Sequence, residues 1–304
     1  MRLHVLGSGA GGGFPQWNCN CRNCDGLRRG SIVARARTQS SVSVSGDGVE
    51  WLLINASPDV LQQVRAHPAL QPARKLRDTA IRAVLLMDAQ VDHTTGLYML
   101  RERSEPLDIW CTAAVREDLT VGNPILRVLE HYCGVRWHEL PLGKCFTVDG
   151  IAGLNFTALP LQSKAPPYSP HRNQSVPGDN VGLVMTDVAS RRSLFYAPGL
   201  GEIEAQVWRA MQEADCVLVD GTFWTEDEMQ SAGVANKGAR KLGHLPQAGA
   251  GGMMEWMARL PAATRKVLIH INNTNPILDE NGAERAQLAA AGIEVAWDGM
   301  ELEL

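Results

Sequence analysis

The sequence predicts an α+β fold in which two packed β-sheets are flanked by helices. Three observations carry this. Short runs dominated by apolar residues, such as 83–87 (AVLLM), 216–219 (CVLV) and 266–271 (KVLIHI), arrive in groups with helical patterns before and after them. Polar residues gather where these runs end, which is where α/β proteins place their ligands. No repeat, heptad or low-complexity linker interrupts the 304 residues, so the chain reads as a single domain, 1–304.

In order, residues 3–6 form a first strand that ends in the glycine-rich stretch 7–13. Gly7, Gly9 and Gly12 match a dinucleotide-binding pattern, but a proline, aromatics and cysteines follow instead of a helix, so the glycines read as a turn passing close to a functional centre. Cys19, Cys21 and Cys24 then place three thiolates within six residues, a density that favours a structural zinc over a catalytic thiol. Residues 38–45 and 51–54, joined by Asp47-Gly48, read as an antiparallel pair at a sheet edge. Ser57 and Pro58 open a helix, and residues 69–79 connect it to the central strand.

Beyond residue 97, short strands are expected at 107–111, 137–142, 154–161, 181–187 and 193–196, with helices around 113–119 and 124–132. Residues 162–180 are rich in Pro, Ser and Asn and read as a long exposed loop, either a solvated connection or a binding segment in which Lys164, Tyr168, His171 and Arg172 are the candidates to touch a substrate. A helix at 203–214 leads into strand 216–219. A helical stretch at 226–231, a basic loop with Lys237, Arg240 and Lys241, and Gly243-His244-Leu245-Pro246 come next. Strand 266–271 carries His270 into an amide-rich loop, and a helix at 280–291 and a strand at 293–297 close the pattern.

Composition bounds the function. A net charge of −4 argues against broad nucleic-acid binding through phosphate contacts. No apolar run is long enough for a signal peptide or a membrane span, which predicts a cytoplasmic protein. Seven cysteines, an odd number, fit a reducing compartment, with Cys111, Cys133, Cys145 and Cys216 read as small hydrophobes.

The most informative stretch is 80–97, AIRAVLLMDAQVDHTTGL, in which a buried strand empties into Asp88, Gln90, Asp92 and His93. A carboxylate beside an imidazole suits a divalent metal. Asp88-x-Gln90-x-Asp92-His93 resembles the HxHxDH signature of the metallo-β-lactamase superfamily with its first two histidines replaced. That resemblance implies a four-layered αββα sandwich and two metal sites in full-motif members. Here only the second, comprising Asp92, His93 and His270, is complete. The first-site positions carry Asp88, Gln90, Ser163 and Gly199 instead. One carboxylate and two imidazoles form the facial set of non-haem Fe(II) oxygenases, and a mononuclear centre is the economical reading.

The whole chain resembles the coenzyme PQQ (pyrroloquinoline quinone) synthesis protein B family, on GSGAGGGFPQWNCNC, DAQVDHTTGL, YAPGLG, LVDGTFW, GHLP and IHINNTNP in that order. The resemblance implies iron- and O₂-dependent hydroxylation of the tyrosine ring in a cross-linked Glu-Tyr diamino acid, with Fe(II) in the active site and structural Zn(II). It involves neither nucleic acid nor membrane and leaves room for a homodimer. Under it, Asp92, His93 and His270 ligate iron, His244 acts as a base on the phenol, and Asp88 and Gln90 hydrogen-bond the ligand histidines. Lys164, Arg172, Lys237, Arg240 and Lys241 are the candidates for the substrate carboxylates. Related phosphodiesterases complete a similar zinc site with a histidine at the position of Asn273, so Asn273 becomes the candidate fourth ligand. The competing readings are a mononuclear zinc hydrolase and a carrier of PQQ or its precursor to the periplasm. Dependence on O₂ separates both from an oxygenase.

Overall fold

A computed structural model describes all residues, 1–304, and arranges them in two seven-stranded sheets. The first half of the chain supplies β1 (Arg2–Gly7), β2 (Ser41–Ser45), β3 (Trp51–Ile54), β4 (Ile81–Leu85), β5 (Leu107–Cys111) and β6 (Val135–Glu139). The second half supplies β7 (Cys145–Phe146), β8 (Leu154–Pro160), β9 (Val181–Asp187), β10 (Ser193–Ala197), β11 (Cys216–Asp220), β12 (Arg265–Ile269) and β13 (Ile293–Val295). A last strand, β14 (Glu301–Glu303), returns to pair antiparallel with β1, giving the orders β14-β1-β2-β3-β4-β5-β6 and β13-β12-β11-β10-β9-β8-β7.

Burial explains the layers. Leu3, Val5, Val42, Val44, Leu52 and Ile54 of one sheet meet Leu154, Phe156, Leu183, Leu194, Leu218 and Val267 of the other in a core between the sheets. Alternate residues of the same strands point outward under helices. Trp51, Leu53, Val84 and Ile109 pack against Val60, Val115, Leu126 and Leu129. On the opposite face, Phe195, Val217, Val219 and Leu268 pack against Val207, Met211, Met253, Met257 and Leu288. Strands buried on both faces read as continuous apolar runs, which is how β4, β11 and β12 stood out in the sequence. The result is the four-layered αββα sandwich of the metallo-β-lactamase fold.

Several elements depart from the sequence expectation. β2 and β3 lie inside their sheet, because β14 and β1 cover the flank of β2 that the sequence left as an edge. β14 and β7 are too short to carry a pattern of their own and exist through pairing with β1 and β8. A helix, Arg22–Arg29, rises directly from the cysteine cluster with Gly30 closing it in a left-handed conformation at φ 69°. Another, Met253–Ala258, follows the 243–246 stretch. Residues 162–180 contain no helix or strand, but Ala165, Ser169, Asp179 and Asn180 are buried, so the segment is packed down on the fold and not fully exposed.

What matters for function is where the strands point. β3 to β6 run parallel, as do β10 to β13, and their carboxyl ends open onto one rim of the sandwich. The loops after β1, β4, β8, β10, β11 and β12 all contribute residues to one cavity there. No helix is long and apolar enough to cross a membrane.

Candidate metal centre

β4 delivers the first half of the site. Its continuation is fixed by Asn55, itself at φ 61°, whose side-chain oxygen accepts from Met87 N at 3.0 Å. The turn that follows places Asp88 with both carboxylate oxygens 2.9 Å from His93 Nδ1. The other ring nitrogen, Nε2, is therefore aimed away from Asp88, and it is buried without a hydrogen-bond partner. Buried polar atoms are rarely left alone, so this nitrogen marks a position for a ligand.

β12 delivers the second half. His270 follows it at φ 63°, a left-handed conformation uncommon outside glycine and one found at strained functional positions. Its Nδ1 is held 2.8 Å from Thr222 Oγ1, leaving Nε2 3.5 Å from Asp92 Oδ2, while His93 Nε2 lies 3.8 Å from the same oxygen. Asp92, His93 and His270 thus converge, with one ligand atom from each within 4.8 Å of the others. Gly11 lets the backbone after β1 approach this point, since a Cβ there would sit 3.2 Å from Asp92 Oδ2.

The electrostatics belong to a cation site. Burial opposes a charged His93, but the Asp88 and Asp92 carboxylates outweigh it and push the imidazole up to about 9. Burial likewise opposes ionisation of Asp92, and His93 and His270 outweigh it to hold the carboxyl far below its usual range. A metal held here would need His93 neutral and would take the place of its proton as the counter-charge to the two carboxylates.

A third triple, Asp220, His244 and His270, is equally close but of a different kind. Asp220, fully buried at the end of β11, accepts from His244 Nδ1 at 2.6 Å, from Thr222 Oγ1 at 2.6 Å and from Leu200 N at 2.8 Å. Its atoms are satisfied within the protein, so it orients the imidazoles and does not await a metal. Burial works against a charged His244, and Asp220 overrides it to raise the imidazole's pKa. Sequence reasoning passed over Asp220 and Thr222. The signal was there, in a carboxylate at the end of the apolar run Cys216–Asp220.

The four positions where full-motif relatives carry first-site ligands, Asp88, Gln90, Ser163 and Gly199, all line the cavity of about 280 Å³ around the centre. Asp88 is committed to His93, Ser163 offers only a hydroxyl and Gly199 no side chain. The Gln90 side chain makes no hydrogen bond to a ligand histidine, contrary to its expected role. Its main chain does the local work, with N donating to Asp88 Oδ1 at 2.8 Å and O accepting from His93 N at 3.0 Å.

The basic candidates divide. Lys164 and Arg240 line a cleft of about 600 Å³ that shares Ser163 and Gly243 with the metal cavity. Arg172 instead donates to Ala165 O within its own loop. Lys237 and Lys241 are exposed and line neither cavity, because the Gly238–Leu242 turn directs them to solvent. Tyr168 is tied through its hydroxyl to Ala89 O, and His171 faces Asp118 and Asp179, so neither reaches the cavity.

Cys19, Cys21 and Cys24 bring their sulfurs within 4.8 Å of one another, unbonded, with Asn273 Nδ2 at 3.2, 3.6 and 3.4 Å from them in turn. Burial pushes the Cys21 thiol up to about 12. Three crowded sulfurs plus an amide that also carries an oxygen suit a tetrahedral zinc. Asn273 stands three residues after His270, so one loop serves both centres. Glu228 braces that loop, accepting from Thr274 Oγ1 and Trp224 N at 2.5 Å each.

Residues 50–271 match the β-lactamase superfamily domain model. The chain is 67% identical to coenzyme PQQ synthesis protein B of Azoarcus sp. (strain BH72) over 304 residues, 100% of both chains. It is 60% identical over 310 residues to the protein of that name from Nitrosococcus oceani, again over 100% of both. Among solved structures, Zn(2+)-bound PqqB from Methylobacterium extorquens superposes with TM-score 0.91 at 36% identity, covering 100% of each chain. A diphosphatase from the PhnP family superposes with TM-score 0.68 at 19% identity over 100% of this chain and 97% of its own, a likeness of fold alone.

Two measurements follow. Asp88→Asn removes the carboxylate charge behind His93 Nδ1 and replaces one of the two acceptor oxygens 2.9 Å from it with a donor, so affinity of the Asp92 centre for a divalent ion should fall roughly 10–100-fold while cysteine-bound zinc is retained, as read by metal titration. Burial raises the Glu228 carboxyl to about 7 from an ordinary 4.5. Between those values the native state keeps a proton that the unfolded chain releases, so stability should fall as pH rises from 4.5 to 7. Urea midpoints across that window should show a flatter slope in Glu228→Gln.

Proposed function

The chain belongs to the coenzyme PQQ synthesis protein B family of the β-lactamase superfamily, and on that premise we propose that it is an iron- and O₂-dependent hydroxylase of the tyrosine ring in the cross-linked Glu-Tyr diamino acid intermediate. The observation that carries this reading is the unpartnered, buried His93 Nε2 converging with Asp92 and His270, in a cavity whose first-site positions offer no second metal a ligand set. Asp92, His93 and His270 would hold the ion. Bound Fe(II) would supply the redox chemistry with dioxygen.

The chain's own residues prepare the substrate. His244, clamped through Nδ1 by Asp220 and Thr222, has only Nε2 free, and it lines the cavity. It takes the phenol proton there, and buried Asp220 stabilises the resulting imidazolium. Loss of that proton enriches the ring in electrons before oxygen is added. Lys164 and Arg240 supply cations for the substrate's carboxylates in the adjoining cleft, and the 162–180 segment walls the cavity through Ser163 and Asn180. Phe223, edge-on to His244 with ring centroids 5.7 Å apart, adds an apolar wall.

A zinc hydrolase is the second reading, supported by the Zn(2+) named in the Methylobacterium extorquens structure. The three-cysteine cluster offers that ion a home of its own, which keeps the oxygenase reading first. The deciding experiment is anaerobic loading with Fe(II), followed by exposure to O₂, the cross-linked diamino acid and a two-electron reductant such as ascorbate, which sends the second oxygen atom to water. Oxygen uptake with an oxygen-atom gain in product mass is expected in the wild type. Loss in His93→Ala and a roughly 10²-fold slower rate in His244→Asn should accompany it. Turnover without O₂, or tight substrate binding with no turnover, would overturn the reading in favour of a hydrolase or a carrier respectively.

A further inference from the structure

A second convergence of ligand-type side chains lies behind the wall of the cavity. Asp118 opens a π-helical turn, Asp118–Gly122, that continues from the helix Ala113–Glu117. His171 and Asp179 come from the 162–180 segment packed against it. His171 Nε2 lies 2.6 Å from Asp179 Oδ1 and 3.8 Å from Asp118 Oδ1, and one ligand atom from each residue lies within 4.8 Å of the others. The Asp118 side chain is 0% exposed and that of Asp179 is 1% exposed.

Charge does not balance in this cluster. Two buried carboxylates share one imidazole, the only basic group paired with either, and Glu117 Oε2 adds a third acid 3.9 Å from His171 Nδ1. Asp179 Oδ2 accepts from Val176 N at 2.9 Å, but neither oxygen of Asp118 has a hydrogen-bond partner. Ser169 offsets the burial of Asp118 only in part, from outside hydrogen-bonding geometry. An ionised carboxylate left unpaired in the interior is costly; burial raises the Asp118 carboxyl, and either a proton or a cation relieves the cost.

We propose that Asp118, His171 and Asp179 form a divalent-cation site, distinct from both the Asp92 centre and the three-cysteine cluster, that clasps the 162–180 segment to the π-helical turn. Two carboxylates and an imidazole, with water completing the shell at the His171 edge, whose side chain is 15% exposed, suit ions of the Mn²⁺ or Zn²⁺ class. The clasp has a structural consequence. The segment it fixes also holds Tyr168, whose hydroxyl donates to Ala89 O, and Asn180, which bridges to Asp88, so the ion steadies the cavity wall beside the ligand His93.

The test uses Mn(II), followed by loss of the free-ion EPR signal, on full-length protein with zinc on its cysteines and His93→Ala disabling the Asp92 centre. That background should bind one equivalent, and the added Asp118→Asn should weaken this binding at least tenfold. Asp118→Asn is isosteric and removes excess buried charge, so the metal-free Tm should hold or rise, and only the parent should gain Tm when Mn(II) is added. Should Asp118→Asn fail to fold, His171→Gln must show the same loss of binding. Equal Mn(II) binding with and without Asp118 would overturn the proposal. So would a fall in metal-free Tm without any change in Mn(II) binding, which would make the cluster a carboxylate–imidazolium clasp.

Discussion

Asp92 Oδ2 lies 3.8 Å from His93 Nε2 and 3.5 Å from His270 Nε2, and the two imidazoles are delivered by different sheets. His93 follows β4 of the first sheet, whereas His270 follows β12 of the second. The centre therefore exists only if the sheets face each other at a fixed spacing, and the inter-sheet core sets that spacing. Short backbone links finish the alignment: Ala10 N donates to Ile271 O at 2.9 Å, and Ala56 N donates to His93 O at 2.7 Å. The left-handed backbone at His270 is the local cost of aiming that ring.

The partners of the histidines decide what the centre can hold. Asp88 occupies a position where full-motif relatives place a metal-binding imidazole, but here it spends both oxygens on His93 Nδ1. A side chain used in this way orients a ligand and is not free to be one. With Gln90, Ser163 and Gly199 completing the same rim, the cavity keeps open space on the side where a second ion would sit. That space is what a mononuclear centre needs for a co-substrate. The Asp220–Thr222–His244 arrangement extends the logic outward, with a buried carboxylate again holding an imidazole by Nδ1.

Much of this was legible in residue order because the informative segments are local. β4, β11 and β12 are buried on both faces and read as apolar runs, and the chemistry follows at their carboxyl ends. Cys19, Cys21 and Cys24 are adjacent in sequence, so their spacing alone points to a metal. What stayed hidden depends on contacts distant in sequence. β14 is a strand only because β1 offers it an edge. The helix Arg22–Arg29 is strongly polar and lacks an apolar run, being fixed instead by buried Asn23 and Cys24. Lys237 and Arg240 look alike in a basic loop, and only the turn between them sends Arg240 alone to the cleft. Asp118 sits near the end of an expected helix in the sequence and acquires meaning when a loop some fifty residues on folds over it.

One metal ion held by Asp92, His93 Nε2 and His270 Nε2 is the feature on which the oxygenase chemistry depends. It is tested most directly by anomalous diffraction at the iron edge from crystals loaded anaerobically with Fe(II). A single iron peak is expected in the cavity, at ordinary coordination distances of about 2.0–2.2 Å from those three side chains. Two peaks bridged across Asp88 and Gln90, or a single peak seated on Asp220 and His244, would contradict it.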